Sequence, residues 1–138
     1  MSVEENKAIA RRWNKEIWSK GNMAAVDELM AADFVWLNAP PGVASEREGF
    51  KRFQAGALGA FSEMNCTVED MVVEGEKVAV RWTWNGKHTG EYMGMAPTGK
   101  QVTMTGISII RITGGKITEE WDESDNLGFM TQLGAKVG

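Results

Sequence analysis

The order of apolar and polar positions divides the chain into a helical first half and a strand-rich second half. Within residues 4–20, Ile9, Trp13 and Ile17 recur at helical spacing, which predicts an amphipathic helix. Gly21 is expected to end it, because glycine readily adopts the left-handed conformation found after helix ends. The first helix should therefore present one apolar stripe to a core.

Two further helices are predicted before residue 63. Asn22 is a favourable N-cap for a short helix that continues to Met30. Ser45 and Glu48 fit a capping box, which predicts that a third helix starts there. Residues 34–37, between these two helices, form a short apolar run and are a candidate strand.

The hydrophobic period changes to two in the second half of the chain. Four strands are predicted, at residues 67–74, 78–88, 101–113 and 117–125, and segments that contain glycine separate them. A short helix is predicted at residues 127–133. Because helices come first and strands follow, the expected fold class is α+β. Helices should pack on one face of an antiparallel sheet, in one domain that spans residues 1–138.

The strand at residues 101–113 carries apolar side chains on both of its faces. Val102 and Met104 share one face, whereas Ile107 and Ile109 lie on the other. A sheet with one face in water would need apolar side chains on one face only. The simplest explanation is that a second copy of the protein covers the outer face, which predicts a homodimer. The alternative is an outer face that is merely richer in apolar residues than usual.

Composition and charge limit the possible classes of function. The chain has 138 residues, of which 43% are hydrophobic and 25% are charged, as in ordinary globular domains. The net charge of −4 and the lack of a basic cluster argue against a nucleic-acid partner. No apolar run approaches about 18 residues, so no membrane span is expected. Residues 1–20 are charged throughout and contain no secretory apolar segment, so the predicted location is cytoplasmic.

Familiar catalytic and cofactor motifs are absent from the sequence. It contains no phosphate-binding loop, dinucleotide fingerprint or nucleophile elbow. The single Cys66 excludes an intramolecular disulfide and a multi-cysteine metal site. Nothing near His88 has the spacing of metal ligands, so no metal site is expected. His88 itself is either an acid–base group, since imidazoles titrate near physiological pH, or a hydrogen-bonded structural residue.

The last predicted strand is unusually acidic. Five of the nine residues 117–125 are Asp or Glu, although both are poor strand formers. One interpretation is a solvated edge strand. The other is that one carboxylate points into a cavity, where desolvation raises the pKa of a carboxyl group and suits it to acid–base catalysis. Alternation separates Glu120 and Asp122 from Trp121 and Asp125, but it leaves open which face turns inward, and a bulge would change the outcome.

Arginine and tryptophan supply further candidate groups. Arg81 lies within an otherwise apolar strand and would need a carboxylate partner, which the acidic strand offers. The six tryptophans suit either a pocket for a flat organic ligand or packing in the core and at an interface.

Three stretches of the sequence are similar to a known family. They are residues 86–100 (GKHTGEYMGMAPTGK), residues 109–117 (IIRITGGKI) and residues 120–134, which contain EWD and QLG. In these stretches the chain resembles the SnoaL-like polyketide cyclase and ester cyclase family of the nuclear-transport-factor-two-like superfamily. The resemblance implies a cone-shaped, cystatin-like α+β barrel, in which a curved antiparallel sheet wraps around N-terminal helices and encloses a pocket. It also implies oligomers formed through the outer sheet face.

The resemblance further implies a reaction and a set of site residues. Characterised cyclases of the family close a polyketide ring by intramolecular aldol condensation, without metal or organic cofactor, on a small hydrophobic ligand. Their catalytic Asp corresponds to Asp122. The Asp of their Trp-x-x-x-Asp pattern falls on Asp125, and His88 matches a His of the family that is not the pocket His of the cyclases. These three residues are the catalytic candidates. The substrate-binding candidates are Trp13, Trp36, Asn38, Arg81, Met104 and Ser108.

Two departures from the family leave other functions open. Ser108 stands where the cyclases have a pocket His, and Trp36 stands where they have an Asn, although Asn38 is two residues away. One alternative is a ligand-binding domain without catalysis, since one fold hosts many functions. Another is an epoxide-type hydrolase, in which carboxylates of the acidic strand would hold a water; the sequence shows no clear Asp–Arg–Asp constellation, but Arg81 keeps this alternative open.

Overall fold

A computed structural model describes residues 2–135, which contain four α-helices, one π-helical segment and five strands. The helical elements are α1 (Val3–Trp13), the π-helical segment (Asn14–Ser19), α2 (Ala24–Leu29), α3 (Arg47–Ala60) and α4 (Asn126–Gln132). The strands are β1 (Met30–Trp36), β2 (Phe61–Glu74), β3 (Lys77–His88), β4 (Gln101–Thr113) and β5 (Lys116–Ser124). The predicted positions are confirmed within a few residues, except that β2 begins six residues earlier than expected.

The first helix and its end follow from local chemistry. The Ser2 hydroxyl accepts a hydrogen bond from the Glu5 N–H at 3.1 Å, and the Glu5 carboxylate accepts one from the Ser2 N–H at 3.2 Å. This capping box fixes the start of α1. The helix continues into the π-helical segment and ends before Gly21, whose φ is +67° as predicted for the residue after a helix.

The capping box predicted at the start of α3 is wrong. Glu46 occupies the N-cap position and makes no side-chain capping bond. The reason lies in the neighbouring strand. Glu46 forms an isolated bridge with Val35, and the Ser45 carbonyl accepts a hydrogen bond from the Trp36 N–H at 2.6 Å. Residues 45 and 46 are therefore held extended against β1, which moves the helix start beyond Ser45.

The five strands form one curved, open sheet in the order β1-β5-β4-β3-β2. Strands β2 to β5 pair antiparallel, whereas β1 pairs parallel to β5. The predicted α+β class is confirmed, and the antiparallel prediction fails only for β1, whose partner comes late in the chain. Because β1 and β2 remain edges, the sheet is not closed into a barrel. Helices α1, α2 and α3 cover its inner face.

A bulge in β5 decides which acidic side chains turn inward. Arg111 of β4 pairs with Glu119, but the next residue, Ile112, pairs with Ile117, so β5 contains one extra residue, Thr118, at this point. The bulge changes the alternation. Ile117 and Glu120 are both fully buried as a result.

The two faces of the sheet differ as the pattern on β4 predicted. Val102, Ile110 and Ile112 are buried on the inner face. On the outer face, Ile107 and Ile109 are 48% and 43% exposed. The apolar character of both faces is therefore confirmed. Within residues 2–135, no helix is long and apolar enough to cross a membrane.

Candidate active site

A cavity of about 360 Å³ lies between the helices and the inner face of the sheet. This volume is within the range of pockets that hold small organic ligands. Its walls are mainly aromatic and aliphatic, with polar residues where β5 ends. The lining residues are Ile17, Trp18, Trp36, Asn38, Ala39, Pro40, Pro41, Phe53, Gln54, Ala57, Leu58, Phe61, Met64, Trp82, Trp84, Tyr92, Met104, Asp122, Glu123, Ser124, Asn126 and Phe129.

Asn38 fixes the main chain of Asp122 at the edge of this cavity. The Asn38 carboxamide oxygen accepts a hydrogen bond from the Asp122 N–H at 2.9 Å, and its NH₂ group donates to the Asp122 carbonyl. The Leu37 N–H donates to the Glu120 carbonyl at 2.8 Å. Residues 37 and 38 therefore extend the pairing of β1 with β5 and hold Asp122 in place.

A chain of two hydrogen bonds orients the Asp122 carboxylate. The Ser108 hydroxyl donates to Asp122 Oδ1 at 2.5 Å, and the Trp82 indole N–H donates to Ser108 Oγ at 2.9 Å. Because Ser108 lies opposite Asp122 in the β4–β5 register, the sheet itself sets this contact. Asp122 Oδ2 is buried and has no hydrogen-bond partner among the described residues.

Glu120 lies on the same inward face and is completely buried. Neither of its carboxyl oxygens has a hydrogen-bond partner within residues 2–135. Burial is the largest cause that raises the pKa of Glu120 well above its usual value, and the neighbouring Asp122 carboxyl raises it further. A carboxyl group in this setting favours the protonated state.

Four of the predicted site residues meet at the cavity wall, and one supports them. Trp36, Asn38, Met104 and Asp122 line the cavity. Ser108 is buried directly behind Asp122 and reaches the site through its hydrogen bond.

The other four predicted residues do not line the cavity. His88 is fully buried at the end of β3, where Nδ1 accepts a hydrogen bond from the Thr98 N–H at 3.2 Å and lies 3.0 Å from Thr98 Oγ1. Asp125 is exposed and accepts a hydrogen bond from the Gly128 N–H at 2.9 Å, which caps α4. Arg81 is exposed on the outer face of the sheet. Trp13, the last residue of α1, is buried in the hydrophobic core of the protein.

These placements change the sequence-based hypotheses. The Arg81 side chain is on the opposite side of the sheet from the cavity, so the Asp–Arg–Asp arrangement of an epoxide-type hydrolase is not assembled there. Within the described part of the chain, no group of three or more His, Cys, Asp or Glu side chains is placed to hold a metal ion.

Comparison with known proteins agrees with the geometry. A family model for SnoaL-like polyketide cyclases matches residues 8–133. The chain belongs to the SnoaL-like polyketide cyclase family.

Individual relatives of this SnoaL-like chain include two named ester cyclases. Aklanonic acid methyl ester cyclase DnrD from Streptomyces peucetius is 38% identical over 77 residues, which cover 54% of this chain and about half (52%) of the relative. Nogalonic acid methyl ester cyclase from Streptomyces nogalater is 28% identical over 122 residues, which cover 85% of this chain and 89% of the relative. The crystal structure of IdmH from Streptomyces antibioticus is 33% identical, covers 94% of this chain and 99% of that one, and has a TM-score of 0.80.

Sequence reasoning missed two polar residues of the SnoaL-like site. Alternation groups Glu120 with Asp122, but the family resemblance selects Asp122 and not Glu120 as a catalytic candidate. Gln54 is not among the site residues predicted from the sequence. It lies on α3, is 2% exposed and lines the cavity, and its carboxamide oxygen has no partner among the described residues. A polar residue within the apolar stripe of a predicted helix is the pattern that could have identified it.

Burial of Glu120 predicts a specific dependence of stability on pH. Its pKa is higher in the folded than in the unfolded chain, so its contribution to stability is complete at low pH and is lost as pH rises toward the folded pKa. We expect the unfolding free energy of the wild type, measured with urea, to fall relative to that of Glu120→Gln by up to about 1.4 kcal/mol per pH unit above about pH 5.

The matched control is Glu119→Gln, on the outer face. Glu119 is partly exposed and accepts a hydrogen bond from Arg111 Nε at 2.7 Å. This variant should keep the pH dependence of the wild type. Parallel stability curves for wild type and Glu120→Gln would contradict a raised pKa at Glu120.

Proposed function

We propose that this chain catalyses an intramolecular aldol-type ring closure of a neutral, polyketide-like ester, with Asp122 as the acid–base group. The observation that carries the proposal is the position of Asp122. Its carboxylate lies at the edge of an otherwise mainly apolar cavity and is oriented by Ser108, while Asn38 fixes its main chain. Family membership and the names of the two cyclase relatives support the same reaction class.

The proposed reaction needs only proton transfers and one new carbon–carbon bond. The Asp122 carboxylate takes a proton from a carbon next to a carbonyl, which gives an enolate. The enolate carbon then attacks a second carbonyl carbon of the same molecule, and the resulting alkoxide is protonated. No atoms are gained or lost overall, so the product is an isomer of the substrate. The cavity contributes by holding the two reacting carbons close together.

Aromatic side chains of the cavity are expected to donate hydrogen bonds to a substrate carbonyl. Ser108 donates its one hydroxyl hydrogen to Asp122, and Asn38 uses one of its two amide hydrogens on the Asp122 carbonyl. Trp18 and Trp36 line the cavity, and their indole N–H groups are buried without a partner in the described chain. Tyr92 also lines the cavity, and burial raises the pKa of its phenol, so the hydroxyl remains a donor at neutral pH.

The charge of the cavity favours a neutral ligand. The Asp122 carboxyl borders it, whereas no Lys, Arg or His of residues 2–135 lines it. A carboxylate ligand would lose its hydration without gaining a cationic partner. Both named relatives are cyclases of methyl esters, in which the acid group of the substrate carries no charge.

Removal of the Asp122 carboxylate tests the reaction. Asp122→Asn is expected to lower kcat for ring closure of an ester-protected poly-carbonyl compound by about 100- to 10,000-fold, since it removes the general base. Turnover would be measured by chromatographic separation of the linear and cyclised isomers. Asp33→Asn, at an exposed position on β1, is the matched control and should retain the wild-type rate.

Two outcomes would contradict this assignment. One is unchanged turnover in Asp122→Asn, above all if Asp125→Asn loses it. The other is tight ligand binding by the wild type with no conversion of any carbonyl compound tested, which would favour a non-catalytic binding domain.

Selectivity for neutral ligands can be measured without turnover. We expect a methyl ester with a flat aromatic or polyketide-like skeleton to bind about 10- to 100-fold more tightly than its free acid at pH 7, because the carboxylate would meet like charge at Asp122. Quenching of tryptophan fluorescence by each member of such a pair would give the two affinities. Equal affinities, or preference for the acid, would contradict the proposed substrate class.

We also propose that the chain forms a homodimer through the outer sheet face. Val72, Ala79, Ile109 and Trp121 stand side by side in register across β2 to β5, and we call them the outer apolar row. Val72, Ile109 and Trp121 are 64%, 43% and 43% exposed. The neighbouring row contains Asp70, Arg81, Ile107 and Glu123, so acidic and basic groups alternate beside the apolar row. A second copy offers both an apolar surface and opposite charges to this face.

A charge in the outer apolar row should break the proposed dimer. Trp121→Glu is expected to weaken dimerisation at least about 30-fold, as removal of a central interface tryptophan commonly does. Sedimentation equilibrium would measure this change. Leu127→Glu is the control, because Leu127 is an exposed apolar residue on α4 and not on the sheet. A wild type that stays monomeric, or equal effects of the two variants, would contradict this interface.

A further inference from the structure

Three carboxyl oxygens on the inner face of β5 are buried without any hydrogen-bond partner in the described chain. They are both oxygens of Glu120 and Oδ2 of Asp122. We propose that Glu120 and Asp122 hold one proton between them, and that Glu120 is the positioning residue that donates it to Asp122 Oδ2. The sharing of the proton does not depend on the proposed reaction, whereas the effect of Glu120 on turnover rests on it.

The strand geometry brings the two carboxyl groups together. Residues 120 and 122 are two positions apart on β5, so their side chains leave the same face about 7 Å apart along the strand. Both face inward, since Glu120 is fully buried and Asp122 borders the cavity. The Glu120 side chain is long enough to span this separation. Ser108 already donates to Asp122 Oδ1, which leaves Oδ2 for Glu120.

No cationic group competes for either carboxyl group. In register, Glu120 has Ile110 on one side and Trp36 on the other. The buried residues of the three helices that cover this face are all uncharged: Asn6, Ala10 and Trp13 on α1, Ala25, Val26 and Leu29 on α2, and Gly49, Phe50, Gln54 and Ala60 on α3. Within residues 2–135, no Lys, Arg or His nitrogen lies within 4.0 Å of either carboxyl group.

Of the possible protonation states, the one with a single proton fits these contacts best. With no proton, two like charges would be buried side by side with no cation, which is strongly unfavourable. With two protons, Asp122 would be neutral, and the hydrogen bond that the Ser108 hydroxyl donates to Asp122 Oδ1 would lose the charge that strengthens it. With one proton, the Glu120 hydroxyl donates to Asp122 Oδ2, so Asp122 stays ionised and accepts a hydrogen bond at each oxygen. Neighbouring carboxyl groups commonly titrate as such a pair.

The shared proton gives Glu120 a defined role in the proposed reaction. Its hydrogen bond fixes the Asp122 carboxylate in orientation and holds the charge of the pair at −1. When Asp122 takes a proton from substrate carbon, the pair passes from one proton to two, and the return of this proton to the alkoxide restores the starting state. Glu120 itself does not need to touch the substrate.

Infrared spectroscopy of the ligand-free protein tests the shared proton directly. The C=O stretch of a protonated carboxyl group is separate from the bands of ionised carboxylates. We expect one such band in the wild type at pH 7. It should be absent in Glu120→Gln, present in Glu119→Gln, and present but shifted in Asp122→Asn, where the acceptor is an amide. Absence of the band from the wild type, or its persistence in Glu120→Gln, would overturn the proposal. An unshifted band in Asp122→Asn would also overturn it.

The pH profile of turnover tests the positioning role. A carboxamide N–H is a weaker donor than a carboxylic acid, so Glu120→Gln weakens the hydrogen bond that stabilises the base form of the pair. The acid limb of kcat/KM is expected to move up by about one pH unit, with KM little changed. A purely structural role would lower the rate without moving this limb, and an unmoved limb would overturn the positioning role. If the wild type has no turnover, the proposed function is wrong. The infrared experiment still decides whether Glu120 and Asp122 share a proton.

Discussion

Burial of carboxyl groups on the inner face of β5 is the constraint that the site depends on. An unpaired buried charge is costly, and burial of two carboxyl groups without a cation is tolerated only where hydrogen bonds and protonation reduce the cost. Asp122 is supported by Ser108 and Asn38, and Glu120 by a raised pKa that favours its neutral form. Burial of these carboxyl groups therefore lowers the folding stability of the protein, but it places an oriented carboxylate at the edge of the cavity.

The bulge at Thr118 makes this arrangement compatible with a packed core. Without the extra residue, strict alternation would put Ile117 on the face opposite Glu120 and Asp122. Either the isoleucine or the carboxyl groups would then face outward. With the bulge, Ile117 joins the core while Glu120 and Asp122 still face the helices. One local irregularity thus reconciles hydrophobic burial with an acidic site.

Much of the fold was predictable, because its elements follow local patterns. The bounds predicted for β4 are those of the structure, since its apolar residues alternate without interruption and flanking turns limit it. The parallel pairing of β1 with β5 was not predictable, because it joins residues about 85 positions apart through contacts that no local pattern records.

The site was predictable only in part, for a related reason. Alternation places Glu120 and Asp122 on one face of the strand, but the bulge determines whether this face points inward. No residue type within 117–125 predicts the bulge. His88 and Arg81 were plausible by chemistry, yet one lies at a buried strand end against Thr98 and the other on the outer face. Which residues line a cavity depends on long-range packing. Residue type and the family resemblance therefore provide candidates, and the fold shows which of them border the cavity.

The two faces of β5 are linked through consecutive residues. Trp121 lies between Glu120 and Asp122 in the chain and is exposed on the opposite face, within the outer apolar row. Its position is fixed by the same β4–β5 register that places Ser108 opposite Asp122. A slip of one residue would turn Trp121 into the cavity and both carboxyl groups outward. The proposed dimer surface, which uses Trp121, and the proposed active site, which uses Asp122, therefore depend on the same register.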